Sequence, residues 1–485
     1  MTDEAYDRAV SSWFTPELLD RMQEAEQLAY PREDMTEIDD SPVFPPDFQS
    51  PPEATITRVR VEGLPAGLSL GIASPCPRAR GVLPFAFLLQ GFLAADTEVD
   101  HLEIWSGHRK LREVSARLIG EHREESGPQP AGGLLLYAFR ELVGTLRLPR
   151  SFTVILRVVL ASGARHSVCA IDGTRPALVL PPGTTSRLSP LMLTSLGRTG
   201  TTWLMRLFSK HPELVLDASY PYEARPQRYW MHWLHVMAEP ANHRESTPAI
   251  GFHAQQWSVG ANPFFTAALA TEDPELAQQL AGEHVVRLAG FAHQATETYY
   301  LSCMARYGRP NARFSVEKYG PGIFLPLLWE LYPGTKEIFL VRDPRDMLAS
   351  MLAFNEKRGS SDFGRQRVET DADFVRQLAR GVASLMEASQ ARRGQAHLVR
   401  YEDLLTMPES VLRGTFDYLG IDASVAVVQR VLREASEPDS KLAFHMTSRD
   451  QAASIGRWER DLPADIQELC NEEFGPALAE FGYSR

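Results

Sequence analysis

Apolar and polar residues repeat with two different periods along this 485-residue chain. Between residues 54 and 178 the period is two. Thr55-Ile56-Thr57-Arg58-Val59-Arg60-Val61 and the run from Ser151 to Leu160 alternate, and Leu134 to Phe139 does so in part. Successive side chains of a strand point to opposite faces, so such runs predict half-buried strands. Gly63-Leu64-Pro65, Gly127-Pro128 and Ser162-Gly163 supply turns between them. Phe85 to Ala95 is the most apolar window; it is too short to span a bilayer, and Gln90-Gly91 divides it, so it reads as a pair of strands. Short strands at this spacing predict an antiparallel, β-sandwich-like domain over residues 54–180.

From residue 187 the pattern changes to short apolar runs followed by helical spacing. Leu191 to Leu193 predicts a buried strand, and Trp203, Leu204, Leu207 and Phe208 predict the helix after it. Ile338 to Val341 and residues 397–421 repeat the arrangement, and residues 268–306 read as a long helical region. Strands alternating with helices predict an α/β fold, a P-loop-like parallel sheet flanked by helices, over residues 187–485. Ahead of both domains, residues 1–30 have helical spacing (Trp13, Leu18, Leu19, Met22, Ala25) ended by Pro31. The acidic, Pro-rich stretch 39–53 reads as a linker. No repeat of 20–50 residues is visible.

Charge and cysteine usage narrow the function classes. Lys and Arg number 50 against 62 Asp and Glu, a formal charge of −12 that disfavours a general nucleic-acid binder. No apolar run is long enough for a membrane span. The acidic start Met-Thr-Asp-Glu-Ala lacks the basic flank of an export signal, so a cytoplasmic location is expected. Cys76, Cys169, Cys303 and Cys470 are too scattered for a disulfide framework or zinc cluster, and buried free thiols are expected. Among the 13 histidines, His232, His235, His243 and His253 show no HExxH or HxH spacing, so no metal site is predicted there.

The densest chemical signal lies in residues 190–204, PLMLTSLGRTGTTWL. A strand, a loop with two glycines, one arginine and three hydroxyls, then a helix would aim backbone N–H groups and a helix N-terminus at one point, which suits a phosphate. Thr201 follows Gly200 where a Walker A loop needs Lys, so hydrolysis of a γ-phosphate is not implied.

Gly197-Arg198-Thr199-Gly200-Thr201-Thr202-Trp203 resembles the 5′-phosphosulfate loop of the sulfotransferases that use 3′-phosphoadenosine-5′-phosphosulfate (PAPS). Residues 336–354, KEIFLVRDPRDMLASMLAF, are similar to that family's 3′-phosphate segment, with Arg342 and Ser350 at the two anion-binding positions. Tyr401, in Tyr401-Glu402-Asp403, matches the tyrosine near the adenine and 3′-phosphate. Ser448-Arg449-Asp450-Gln451 followed by Ile455-Gly456-Arg457-Trp458 resembles the tyrosylprotein-sulfotransferase branch, which gives Ser448 and Arg457 a place in the nucleotide site. The resemblance covers residues 187–485 and implies a sulfotransferase fold, PAPS as co-substrate, adenosine 3′,5′-bisphosphate as product and no metal requirement.

It also implies roles at the reacting centre. Arg198 would stabilise the leaving group. The cytosolic branch's histidine base has no counterpart in Phe314-Ser315-Val316-Glu317-Lys318-Tyr319. In the tyrosylprotein branch a Glu closely followed by Arg serves, which points to Glu223 in Tyr222-Glu223-Ala224-Arg225, with Glu317 the alternative base. Lys318 matches a lysine that assists the transferring group. The acceptor, a hydroxyl or less readily an amine, on a small molecule or a glycan, is left open. Aromatic residues from Tyr220 to Phe265 (Tyr222, Tyr229, Trp230, Trp233, Trp257 and Phe264 among them) suit an acceptor pocket, although ordinary core packing is the plainer reading of any one. Residues 245–262 read as a loop over the site, and the β-rich domain as an accessory module for docking, acceptor recognition, oligomerisation or support. The rivals are an ATP-dependent P-loop phosphotransferase, opposed by the missing Gly-Lys-Ser/Thr, and a noncatalytic scaffold, opposed by the retained arginines.

Overall fold

A computed structural model describes residues 53–75, 83–107, 109–122, 134–240, 264–265, 273–321, 325–360, 363–365, 368–437 and 452–484. The expected helix within 1–30, the linker up to residue 52, the loop at 245–262 (with Trp257 and His253), His243, Cys76 and the Ser448 segment lie outside them. The chain divides into two compact units. One is Met1–Pro181 with Trp233–Ala289, the other Pro182–His232 with Gly290–Arg485.

Among the described residues the first unit is built on nine strands: β1 (Thr55–Val61), β2 (Leu68–Ser74), β3 (Ala86–Ala95), β4 (Val99–Ser106), β5 (Arg109–Ser115), β6 (Arg117–His122), β7 (Leu134–Gly144), β8 (Ser151–Leu160) and β9 (Arg165–Thr174). They form two antiparallel sheets, β1-β9-β8-β4-β5 and β2-β3-β7-β6. One core is common to both, with Ile56, Leu102, Leu156 and Ile171 from the first sheet and Leu70, Leu93 and Phe139 from the second. The period of two explains it: on β8, Phe152, Val154, Leu156 and Val158 are buried while Ser151 and Thr153 are exposed. Phe85 to Ala95 departs from the expected pair of strands, because Ala86–Ala95 is a single strand paired along its length with β7. Gln90-Gly91 does not break it; Gly91 is required there, since a Cβ would stand 2.3 Å from Gly71 O and 2.6 Å from the Phe139 ring.

The second unit carries β10 (Ser189–Thr194), α1 (Thr201–Phe208), β11 (Leu214–Val215), the start of α2 (Pro226–Ala238), the end of α3 (Pro274–Tyr307), β12 (Phe314–Tyr319), α4 (Leu325–Leu331), β13 (Lys336–Val341), α5 (Pro344–Arg358), α6 (Asp371–Ala391), β14 (His397–Arg400), α7 (Tyr401–Thr406), α8 (Pro408–Leu419) and α9 (Val425–Ala435), then short helices to the C-terminus. The sheet is parallel throughout, in the order β11-β12-β10-β13-β14. Helices cover both faces. Leu191, Leu193, Ile338 and Leu340 pack towards α1 and α8, while Phe339 and Val341 pack towards α5 and α6. That double cover buries β12 and β13 on both faces, so neither alternates buried with exposed residues, even though β12 carries Ser315, Glu317 and Lys318. Strand β10 has β12 on one side and β13 on the other, a topological switch point, so the crevice at its C-terminal end is where such a sheet takes a ligand. Among the described residues no helix is long and apolar enough to cross a membrane.

Candidate active site

The loop leaving β10 is held by its own hydroxyls. Ser195 Oγ donates to Leu340 O at 2.7 Å and lies 2.5 Å from Thr199 Oγ1, which itself reaches Leu196 O at 2.9 Å. The chain then turns through left-handed conformations at Arg198 (φ 66°) and Gly200 (φ 90°). Gly200 is fixed by space as well as by φ, since a Cβ would lie 2.3 Å from Tyr401 Cδ2. Helix α1 begins at Thr201, so the N–H groups of Thr201 and Thr202 open towards the crevice rather than into the helix ladder. Trp203 is partly buried against the core behind the loop.

Arginines surround that loop. Arg342, at the end of β13, donates through Nη1 to Arg198 O (2.9 Å) and through Nη2 to Ser454 O (2.7 Å), and its guanidinium lies 4.8 Å from the centre of the Tyr401 ring. Its Nε is buried with no hydrogen-bond partner. Arg198 Nε donates to Ser350 Oγ at 3.1 Å, and its guanidinium lies 4.6 Å from the centre of the Phe354 ring. Burial, and then the charges of Arg342 and Arg457, pull Arg198 down to about 10. Tyr401 completes the ring with its hydroxyl 3.3 Å from Ser454 Oγ. Arg457 is buried and paired with Asp461, from Nε at 2.7 Å and Nη2 at 2.6 Å. Arg345, although in the same motif, points elsewhere; it binds Asp343, Asn471 and the Ser484 carbonyl.

Two supports escaped the sequence reading. Asp346 accepts from the backbone N–H of Gly456 (2.8 Å) and Trp458 (3.0 Å), fixing the turn that carries Arg457. Ser454 meets both Arg342 and Tyr401. A second acidic residue in Arg342-Asp343-Pro344-Arg345-Asp346 was the available signal, but nothing in the sequence named its distant partner. Ser448 lies outside the described residues.

On the other side of β10, consecutive residues of β12 point in opposite directions. Lys318 extends to the loop: its Nζ lies 3.3 Å from Thr202 Oγ1, 2.8 Å from Pro221 O and 2.8 Å from Glu223 Oε1. Burial lowers its pKa, and Glu223 works against that. Glu223 is half exposed, and Arg225 pairs with its second oxygen. Tyr222, just before it, has φ 65°. Arg198 and Tyr222 are the only non-glycine residues with positive φ among those described, and both flank the crevice.

Glu317 turns away. It is fully buried and accepts from the N–H of Gln227 (2.6 Å) and Arg228 (3.1 Å) in the first turn of α2, and from Tyr300 Oη (2.7 Å). Burial raises it to about 7 although all these donors favour its charge. A carboxylate enclosed this way caps a helix and offers no oxygen to an acceptor, which corrects the expectation that it rivals Glu223. The aromatic residues also separate. Tyr222 joins the core of the second unit, and Tyr229 and Trp230 stack edge-on, whereas Trp233, Phe264 and Phe265 belong to the first unit. His235 belongs there too, beside Arg147 and Glu239.

Residues 190–424 match the sulfotransferase family. Carbohydrate sulfotransferase 5 of Mus musculus is 24% identical over 381 residues, covering 70% of this chain and 91% of that protein. Carbohydrate sulfotransferase 1 of Rattus norvegicus is 30% identical over 161 residues, which cover 30% of this chain and 38% of that protein, so this match spans well under half of the relative. The solved sulfotransferase domain from the curacin biosynthetic pathway is 17% identical, with a TM-score of 0.33, over 62% of this chain and 99% of that one.

Proposed function

We propose that this chain, which carries a sulfotransferase-family domain over residues 190–424, transfers the sulfuryl group of PAPS to a hydroxyl, and that the hydroxyl belongs to a carbohydrate. The family implies the donor, and the names of the relatives favour a glycan over an amine or other small acceptor. The observation that carries the reading is Lys318, whose ammonium bridges Thr202 at the start of α1 and the carboxylate of Glu223.

The residues present fit such a donor. The mutual repulsion of Arg198, Arg342 and Arg457, together with the orphaned Nε of Arg342, calls for an anion in their midst. Arg342, Ser350 and Tyr401, supported by Arg457, would hold the 3′-phosphate. The N–H groups of Thr199, Gly200, Thr201 and Thr202 would hold the 5′ end, with Trp203 packed behind. When bound, PAPS supplies an activated sulfur: the acceptor oxygen bonds to it, the bond to the phosphate oxygen breaks, and the phosphate keeps the electron pair. Glu223 takes the acceptor's proton at a carboxylate oxygen. Lys318 orients that carboxylate and, with Arg198, sets positive charge where negative charge accumulates.

Calorimetric titration with adenosine 3′,5′-bisphosphate, ATP and 5′-AMP tests the donor. Binding that requires the 3′-phosphate and weakens in Arg342→Ala is the expected result. A preference for ATP would replace sulfuryl transfer with phosphoryl transfer, and binding of the bisphosphate without turnover on any acceptor would leave a scaffold.

A further inference from the structure

On the outer face of the first unit, β4 and β5 pair with Glu103 directly opposite Glu113. Like charges in facing positions are unfavourable, and Glu103 is only 3% exposed. His101, on the same face of β4, sets its Nε2 3.6 Å from Glu103 Oε1 and 3.8 Å from Glu113 Oε1. That nitrogen is buried without a hydrogen-bond partner, on a side chain nine-tenths buried. Both separations are too long for hydrogen bonds. They are close to the spacing of about 3.4 Å between two atoms that share a tetrahedral ion about 2.1 Å away.

The surroundings favour a metal ligand over a stray imidazole. Nδ1 lies 2.8 Å from Asp100 Oδ2, and a carboxylate only accepts, so Nδ1 carries the proton and the lone pair of Nε2 faces the two glutamates. Trp105 Nε1 donates to Glu103 Oε2 at 2.8 Å, which leaves Oε1 turned towards His101. Two cations already approach: Lys110 Nζ lies 2.5 Å from Glu113 Oε1, and Arg165 Nε 3.7 Å from Glu103 Oε2. Arg165 addresses the oxygen that a metal would not use. Lys110, more than a third exposed near the hairpin turn, can swing into solvent.

We infer that His101, Glu103 and Glu113 form a binding site for a zinc-class divalent cation, with water in the fourth position. One imidazole and two carboxylates in a small gap suit tetrahedral zinc. Calcium would need six or more oxygens, and magnesium keeps an octahedral water shell. The ion would tie β4 to β5 and neutralise the facing carboxylates. Sulfuryl transfer does not depend on it.

The test is Zn²⁺ titration of the full, chelator-stripped chain by calorimetry, with Co²⁺ as an optical probe. Wild type should take up zinc stoichiometrically and give the intense visible band of tetrahedral cobalt, with millimolar Mg²⁺ and Ca²⁺ failing to compete. His101→Ala and Glu113→Gln should each weaken zinc binding at least about tenfold. Glu113→Gln keeps the shape of the hairpin, so it decides the matter should His101→Ala fail to fold. No zinc uptake by wild type, or equal uptake by wild type and Glu113→Gln, overturns the inference.

Discussion

The two units contain opposite charge clusters. At the end of the parallel sheet, burial and the nearby charges of Arg342 and Arg457 lower the affinity of Arg198 for its proton. On the antiparallel sheet, Glu103 and Glu113 face each other with an orphaned imidazole nitrogen between them. Each arrangement costs stability by itself, because like charges are desolvated together. Glu317 is a third buried charge and supplies the control. Three donors from its own chain surround it, and it needs nothing from outside. Burial of charge is therefore a poor guide to function by itself. What separates a site from a support is whether the protein's own groups complete the shell.

The sharpest way to break that distinction is to change the two glutamates near β12 separately. Glu223→Gln should lower kcat by about 10²–10⁴-fold while leaving affinity for adenosine 3′,5′-bisphosphate unchanged. A loss of only a few-fold in sulfuryl transfer would remove Glu223 as the base. Glu317→Gln should act on stability and its pH dependence instead. The carboxyl titrates near 4.5 when unfolded and at about 7 in the fold, so between those values the folded chain holds a proton that the unfolded chain has lost. Its contribution is full below pH 4.5, falls as the pH rises to about 7 and is flat above that. The decline amounts to about 3 kcal/mol, and denaturant unfolding across this range should show it in wild type and not in the variant. Equal slopes in the two proteins would mean that Glu317 stays ionised on α2.

The third comparison concerns the cations. Arg342→Ala should weaken the bisphosphate by about 10–100-fold, in keeping with the loss of charge-assisted hydrogen bonds, and should leave 5′-AMP nearly unaffected. Equal losses for both nucleotides would mean that Arg342 acts by holding the Arg198 carbonyl and the Ser454 turn rather than by meeting a 3′-phosphate.

How much of this was legible depended on how local each signal is. The β10–loop–α1 segment was readable because strand, glycine and helical spacing are contiguous, and β8 because its two faces differ. Strand β12 was not: all six of its residues are buried, and the adjacent charges Glu317 and Lys318 carry no sign of which one faces the crevice. The pairing of Glu103 with Glu113 was equally hidden, because it depends on hairpin register, which includes an irregularity between Ile104 and Trp105. The aromatic run from Tyr220 to Phe265 looked like one cluster only because it is continuous in sequence; the chain leaves the second unit after His232.

The smallest expected effect tests the contact on which the proposed chemistry rests. Thr202 Oγ1 lies 3.3 Å from Lys318 Nζ, at the long end of a hydrogen bond, and Lys318 has two closer partners in Pro221 O and Glu223. Thr202→Val keeps the branched shape that packs at the start of α1 and removes only the hydroxyl. The ammonium would remain in place, so the loss should be that of one weak polar contact, about 1 kcal/mol or roughly fivefold in kcat/KM, with thermal stability unchanged. A loss as large as that of Lys318→Met would show that the hydroxyl meets the donor itself, which would move Thr202 from positioning the lysine to binding the transferring group. No loss at all would mean that Pro221 and Glu223 suffice to orient the lysine, and the link between the loop and the base would then run through Lys318 charge alone.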